Sequence, residues 1–370
     1  MRRFYSIGPQ RRAGYAPRMR RRTLLALVGP LLANASARAQ NAALQFPRDH
    51  GAHPAQRTEW WYLTGSLQAD AASTWGFQVT FFRSATGLPL DERSRFAARE
   101  LVFAHVALTD LAQRRLRHDQ RIARAGFGIA QASETDTRVV LRDWQLVRDA
   151  ARGYRASVAS ERARFAFELD ATPTQPLLLQ GDAGLSRKGP LPDQTSRYVS
   201  EPQLAVDGSL RVDGRVHRVT GRAWLDHEWS DTFMPPQAVG WDWIGMNLDD
   251  GSALTAFRLR RADGSSVYGG GSFRRAGETS RTYGDGDVRF EPGRLWQSAA
   301  SKARYPVEWT VLTPAGTFKV AALLDDQELD SRGSTGSIYW EGLSDLLDAQ
   351  GRRIGRGYLE MTGYAAALKL

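Results

Sequence analysis

Two stretches of the sequence set ionisable groups between aromatic rings at the spacing of an extended strand. The first is Glu59-Trp60-Trp61-Tyr62-Leu63-Thr64-Gly65. The second is Trp224-Leu225-Asp226-His227-Glu228-Trp229, followed closely by Trp241-Asp242-Trp243. Alternation along a strand places Asp226 and Glu228 on one face, and Leu225, His227 and Trp229 on the other. An acid beside ring faces suits one chemistry in particular. Protonating an isolated C=C bond makes a carbocation, which needs a strong local donor and ring quadrupoles to stabilise it. Water activated by a base then completes a hydration. Burial among tryptophans raises a carboxyl pKa and keeps the group a donor. The same residues also suit a plain core, because Trp and Tyr fill barrel interiors while Asp and His cap turns.

Other chemistries lack their signatures. No serine has the Gly-x-Ser-x-Gly spacing of a nucleophile elbow. No glycine run matches a P-loop, and Gly284-Asp285-Gly286 lacks the third glycine of a dinucleotide site. His227-Glu228-Trp229-Ser230-Asp231 opens like the zinc motif His-Glu-x-x-His but ends in Asp, on an extended segment rather than a helix. His50 and His53, with Glu59 downstream, have the types for a metal, yet read more simply as solvated loop side chains. His105 and His217 read as core or surface histidines, and His118 as a solvated loop residue. The absence of cysteine excludes disulfides, thiolate nucleophiles and Cys-ligated zinc. Neither metal nor cofactor is expected.

Strands must position these groups. Hydrophobic residues make up 42% of the 370, enough for a sizeable core. Apolar alternation recurs in short runs such as Phe77-Gln78-Val79-Thr80-Phe81 and Phe165-Ala166-Phe167-Glu168-Leu169. Asp213-Gly214, Asp250-Gly251 and Asp263-Gly264 supply hairpin turns between such runs. The pattern predicts an all-β barrel or sandwich, and the length suits two domains. The halves echo each other. Glu59-Trp60-Trp61-Tyr62 leads to Phe81-Phe82-Arg83, as Trp241-Asp242-Trp243 leads to Ala256-Phe257-Arg258. Duplication explains this, as does coincidence among β sequences rich in Trp and Gly. Thr232-Phe233-Met234-Pro235-Pro236 is the expected seam, since Pro interrupts a sheet ladder.

The net charge of +10 resides in the N-terminal region. Residues 1–39 hold nine arginines and no Lys, Asp or Glu, and without them 41 basic residues face 40 acidic ones. A near-neutral remainder has no electrostatic footprint for nucleic acid. Arg20-Arg21-Arg22, the apolar run from Thr23 to Leu32, and Ala37-Arg38-Ala39 read as an export signal. The order Arg-Arg-Thr-Leu-Leu looks like a twin-arginine signal, and Met19 is an alternative start. The run is too short to span a bilayer, so cleavage near Ala39 predicts a periplasmic or secreted protein without stable membrane insertion.

His53-Pro54 leading to Glu59-Trp60-Trp61-Tyr62-Leu63-Thr64-Gly65 resembles the AttH / carotenoid 1,2-hydratase (CrtC) family of secreted lipocalin-like proteins. Ser196-Arg197-Tyr198-Val199-Ser200, Asp226-His227-Glu228-Trp229 and Gly240-Trp241-Asp242-Trp243 resemble it too. So do Tyr339-Trp340-Glu341-Gly342 and Gly355 through Tyr364. The resemblance implies two lipocalin-like (calycin) antiparallel β-barrels in tandem, residues 40–232 and 233–370. It implies addition of water to the terminal 1,2 double bond of an acyclic carotenoid. It also implies a His-x-Trp pair, matched by His227 and Trp229, and a downstream Tyr-x-Asp pair, which has no match here. The nearest candidates are Trp241-Asp242-Trp243 and Asn247-x-Asp249, leaving Asp226 or Asp242 as proton donor.

Two functions follow. As an enzyme, the protein is a cofactor-free hydratase of an isoprenoid or other unsaturated lipid. Asp226, His227, Trp229 and Asp242 then carry catalysis, with His227 orienting water. Glu59, Trp60, Tyr62, Trp224, Trp241 and Trp243 line the ligand site. As a binding module, it is a periplasmic carrier or sensor holding a hydrophobic ligand inside a barrel. A two-barrel scaffold in envelope assembly is a third role, and it needs no pocket.

Overall fold

The alternation folds as strands throughout. The computed structural model describes residues 43–70, 73–88, 94, 96–232 and 234–368. The expected leader and Phe233 of the expected seam lie outside them. Among the described residues the only helical element is a short 3-10 turn, Arg48–His50.

The first sheet opens with β1 (Thr58–Asp70), β2 (Ser73–Ala85), β3 (Glu100–Asp110) and β4 (Arg115–Arg124). It continues through β5 (Ala130–Ala132), β6 (Arg138–Leu141), β7 (Trp144–Asp149), β8 (Gly153–Ser160) and β9 (Phe165–Thr172). The short β10 (Leu178–Leu179) and β11 (Leu185–Arg187) precede the long β12 (Thr195–Val212) and β13 (Arg215–Ser230). The order is β4-β3-β2-β1-β13-β12-β9-β8-β7-β6-β5, antiparallel throughout, and the sheet curls into a nearly closed barrel. Arg121 on β4 reaches across the gap and stacks 3.9 Å over the Trp144 ring on β7.

The second sheet begins with β14 (Gly240–Leu248), β15 (Ala253–Arg260), β16 (Ser266–Arg274), β17 (Arg281–Tyr283) and β18 (Arg289–Pro292). A separate ribbon pairs β19 (Leu295–Gln297) with β20 (Arg304–Pro306). The sheet resumes with β21 (Glu308–Thr313), β22 (Gly316–Ala322), β23 (Glu328–Ser331), β24 (Ser337–Leu347) and β25 (Arg353–Met361). Its order, β17-β16-β15-β14-β25-β24-β22-β21-β18, repeats the plan of the first. In both, the first strand pairs with the second on one side and with the last on the other. The protein is thus all-β, two lipocalin-like sheets in tandem.

The echo in the sequence is a structural equivalence. Glu59 on β1 lies opposite Arg83 on β2, and Asp242 on β14 lies opposite Arg258 on β15. Each pair is a buried ion pair, at 2.9 and 2.7 Å. The adjoining residues also match in register. Trp60 faces Phe82 and Glu228 as Trp243 faces Phe257 and Glu360.

Each sheet encloses its own core, with Leu63, Phe77 and Val106 fully buried in the first and Ile244, Val311 and Leu359 in the second. A third cluster, including Tyr62, Trp224, Trp243 and Tyr358, joins the two. Most of β1 and β14, residues 223–230 of β13 and residues 355–361 of β25 are therefore covered on both faces, which explains why β1 carries Trp60, Trp61 and Tyr62 at successive positions. At Gly357 a Cβ would lie 1.9 Å from the Gly245 carbonyl oxygen, so this central strand pair needs glycine to close. The segment before β1 stoppers one end of the first barrel. Trp61 Nε1 donates to the His50 carbonyl (3.1 Å), and Arg83 Nη2 donates to the carbonyls of His53 (2.8 Å) and Gln56 (2.6 Å).

The buried pairs generate a stability prediction. Arg258→Ala leaves the fully buried Asp242 with the Tyr364 hydroxyl at 2.8 Å and the more distant Arg260 guanidinium at 3.8 Å. Removing one partner of a buried ion pair costs ~3–5 kcal/mol, and the residual Arg260 contact sets the expectation at the lower end. Removing Arg353, whose bridge to Asp249 at 3.2 Å is half exposed, should cost ~1 kcal/mol or less. Urea unfolding of the two variants checks the contrast.

Candidate active site

The outer face of β1, β2, β3 and β13 meets the facing side of β14, β15, β24 and β25, and a cavity remains between them. About 1090 Å³ there is not filled by protein atoms, its open mouth included. Trp60, Phe82 and Phe103 form one wall, and Trp243, Phe257 and Leu259 the other. The expectation of a ligand inside a barrel is corrected here. Both barrel interiors are packed with buried side chains, and the aromatic cavity lies between the sheets.

Carboxyl groups from both halves converge on this space: Asp226 and Glu228 from β13, Glu341 from β24 and Glu360 from β25. Parity alone brings Asp226 and Glu228 to one face, and the register places Tyr62 and Trp60 beside them. Asp226 accepts from Ser200 Oγ (2.5 Å), Trp224 Nε1 (2.7 Å) and Tyr198 Oη (2.7 Å). Burial nevertheless pushes its pKa up to about 7, against these three donors. Burial also raises Glu228, opposed by Lys188, whose Nζ lies 2.8 Å from its Oε1. The Lys188 ammonium sits 4.3 Å from the Phe257 ring centroid, a cation held by an aromatic face.

Glu341 and Glu360 lie directly opposite each other on β24 and β25. Burial pushes Glu360 up to about 7, countered by a 3.0 Å hydrogen bond from Trp241 Nε1. Burial raises Glu341 well above the carboxylate range, and the neighbouring Glu360 charge raises it further. Neither Glu341 Oε1 nor the buried Tyr62 hydroxyl makes a well-formed hydrogen bond. One carboxyl of this pair therefore stays protonated at neutral pH while the other titrates, the separation that acid–base catalysis uses.

The structure divides the candidates read from the sequence. Trp60, Tyr62, Asp226, Trp241 and Trp243 line the cavity. Trp224 packs behind it, edge-on to Trp243 with ring centroids 6.4 Å apart. Glu59, His227 and Trp229 are on the opposite face, inside the end of the first barrel, and are not part of the cavity wall. His227 therefore does not position water there. Asp242 is also corrected: it lies inside the second sheet, fixed by Arg258, and cannot donate a proton into the cavity. Strand parity sets each of these separations. His50 and His118 are likewise not solvated loop residues, since His50 is buried and His118 is on β4, half-buried.

At the barrel end, His53 Nδ1 and His227 Nε2 approach Glu59 Oε1 at 2.7 and 2.9 Å. Glu59 Oε2 accepts from Arg83 Nε and the His53 backbone N–H, both at 2.9 Å. Burial opposes ionisation of Glu59, but the bonds from His227 and His53 outweigh it and hold the carboxyl well below its usual range. Trp229 stacks on His53 at 3.7 Å and Trp61 on His227 at 4.6 Å. The three ligand atoms lie within 4.8 Å of one another, a donor set that suits a divalent metal. It includes His227, which the sequence reading of His50, His53 and Glu59 did not. Four donors already satisfy the Glu59 carboxylate, so the cluster also stands as an ion-pair network tying the stopper to the barrel.

Sequence reasoning did not single out Lys188, and it named Tyr198, Tyr339, Glu341 and the stretch holding Glu360 only as wording that carries the family resemblance, with no role in a site. The internal echo contained a signal for one of them, since the Trp60–Glu228 pairing implies a carboxyl beside Trp243, which is Glu360. His105 was read as a core or surface histidine and is in the cavity wall. Its Nδ1 lies 2.8 Å from Tyr339 Oη, and burial lowers its pKa to about 3, which keeps it neutral.

The raised carboxyls have a consequence for stability. Glu360 and Asp226 titrate near 7 in the fold but near 4 when unfolded, so the stability they contribute is complete below about pH 4. It is lost as pH rises through about 7. The melting temperature should fall between pH 5.5 and 8, and Glu360→Gln should flatten that fall. Thermal unfolding across this range tests it, and an unchanged slope in the variant would count against a dry Glu360.

The geometry agrees with comparisons to known proteins. The AttH-like family model matches residues 37–364. The solved structure of an AttH-type protein from Nitrosomonas europaea is 47% identical, with a TM-score of 0.81, covering 88% of this chain and 98% of that one. Kievitone hydratase from Nectria haematococca shares the fold at 14% identity and a TM-score of 0.67, covering 88% of this chain and 94% of that one. No curated protein matches the sequence. With the family model spanning nearly the whole described region and a close structural relative of the same type, the chain belongs to the AttH-like family.

Proposed function

We propose that this protein adds water across a C=C bond of a hydrophobic unsaturated compound, an isoprenoid or other lipid, in the cavity between the sheets. The Glu341–Glu360 pair carries the proposal: adjacent carboxyls, Glu341 buried and held protonated, Glu360 half-buried and titrating near neutrality, facing an aromatic-walled space. Glu341 gives its proton to the less substituted carbon, and the π electrons become the new C–H bond. The electron-poor carbon left behind is stabilised by the faces of Trp60 and Trp243. A water oxygen then bonds to that carbon while Glu360 takes a proton from the water. Transfer of that proton from Glu360 to Glu341 across the strand pair restores the starting state. The balance is substrate plus water to alcohol.

Asp226, braced by Tyr198, Ser200 and Trp224, is the third acid of the cavity, and its charge raises Glu360. The fold shared with kievitone hydratase supports a hydration as the reaction class, by analogy of fold. An acyclic carotenoid is one substrate of the proposed class. We also place the protein outside the cytoplasm, since residues 1–39 have the order of an export signal with cleavage near Ala39.

Native mass spectrometry after incubation with a total lipid extract in oxygen-18 water tests the proposal. A bound lipid carrying one added labelled water is expected. A ligand returned unchanged would make the cavity a carrier's pocket and overturn the hydratase reading. Glu341→Gln and Glu360→Gln should each lower turnover by ~10²–10⁴-fold while the ligand still binds. In kcat/KM, wild-type activity should rise with pH through about 7 as Glu360 ionises, and Glu360→Gln should lose that limb.

A further inference from the structure

The cavity between the sheets already holds one organic cation, the side chain of Lys188. This buried residue follows β11, and its ammonium lies 4.6 Å from the Tyr198 ring centroid and 4.3 Å from that of Phe257. Glu228 Oε1 is 2.8 Å from its Nζ. Ring faces and a carboxylate are thus the means by which this cavity accommodates a positive charge. The same groups recognise ammonium ligands in general.

The wall repeats those ingredients without a second cation. Asp226, Glu228, Glu341 and Glu360 all face the space, and among the described residues Lys188 is the one cationic side chain in the lining. Glu228 engages it. Asp226 is held by three neutral donors, Tyr198, Ser200 and Trp224, and the half-buried Glu360 by Trp241. Neither makes an ion pair with a described residue, in contrast to Glu59 and Asp242, whose arginines lie at 2.9 and 2.7 Å.

Two further observations point to a missing occupant. The buried Tyr62 hydroxyl and Glu341 Oε1 belong to the cavity lining, and neither makes a well-formed hydrogen bond. The rings of Trp60 and Trp243 border the same space as Asp226 and Glu360. The charge balance then decides the sign of the ligand. Lys188 and Glu228 cancel, Glu341 keeps its proton, and His105 in the wall is neutral. Asp226 and Glu360 ionise near 7, so above neutrality the wall has negative charge without a counter-ion. An anionic ligand meets repulsion there, and a neutral one leaves the charge uncompensated.

We propose that this cavity binds hydrophobic organic cations, amines or quaternary ammonium compounds with an apolar chain, with the cationic head among Trp60, Trp243, Asp226 and Glu360. Binding of this kind needs no turnover. That such a cation also blocks the proposed hydration, by taking the place of the electron-poor carbon, is a consequence that rests on the hydratase reading.

Calorimetric titration of the full chain with octyltrimethylammonium, 1-octanol and octyl sulfate, each kept below micelle formation or its solubility limit, tests the proposal. The quaternary ammonium is charged at every pH, so any pH dependence of its binding comes from the protein. The full chain has a net charge of +10, so unspecific attraction would favour the sulfate. At pH 8 the ammonium should bind ~10-fold or more tightly than octanol, with the sulfate weakest. Lowering the pH to 5.5 should weaken the ammonium roughly tenfold and leave octanol unchanged, because protonating Asp226 and Glu360 removes the charge. Asp226→Asn and Glu360→Gln should each reduce the preference, while the comparison on the unaltered chain needs no variant to fold. Equal affinity for ammonium and alcohol, tighter binding of the sulfate, or a preference that both variants keep would overturn the proposal. The labelled-water experiment reads the hydration separately, so either reading can fail while the other stands.

Discussion

Burial of both faces of β1, β14, residues 223–230 of β13 and most of β25 is the constraint on which the rest depends. A strand in an isolated barrel gives one face to its core and the other to water, and can place polar residues freely on the wet side. Here the second sheet covers that side, so residues of both parities must be apolar, paired or neutral. Trp61 and Leu63 serve the first barrel, and Trp60 and Tyr62 serve the space between the sheets. The dense tryptophan wording of the sequence follows from this double duty.

The same covering gives the carboxyl groups their character. An ionised carboxylate in a dry site is costly unless donors or a cation compensate. Glu59 and Asp242, facing the barrel interiors, have arginine partners. Glu341 and Glu360 face the cavity with little compensation, and so keep or share a proton. Equivalent strands thus hold two kinds of acid, structural anions inside the barrels and proton-bearing groups between them. The strand plan shared by the two sheets supplies both kinds twice, which gives the cavity carboxyls from both of its walls.

The barrel-end network shows how a motif can be specific without facing the cavity. His227 and Trp229 fix the stopper segment through His53 and Glu59, on the far side of the strand from Asp226. Any effect of His227 on the cavity acts through the position of β13. The alternation already separated His227 from Asp226; assigning both to one site set that separation aside.

What the sequence by itself determined was local. Strand alternation, hairpin turns and the internal echo predicted an all-β tandem, and the parity of residues 224–229 sorted their side chains correctly. Those features depend on neighbours along the chain, because side chains alternate every second residue wherever a strand forms. Tertiary structure decided which of two equivalent faces is dry, which is packed and which borders a cavity. Glu341 and Glu360 became a pair only when β24 paired with β25, and they became acids only when the first sheet covered them. Burial and the resulting shift in proton affinity are set by atoms distant in sequence, so no local pattern could contain them.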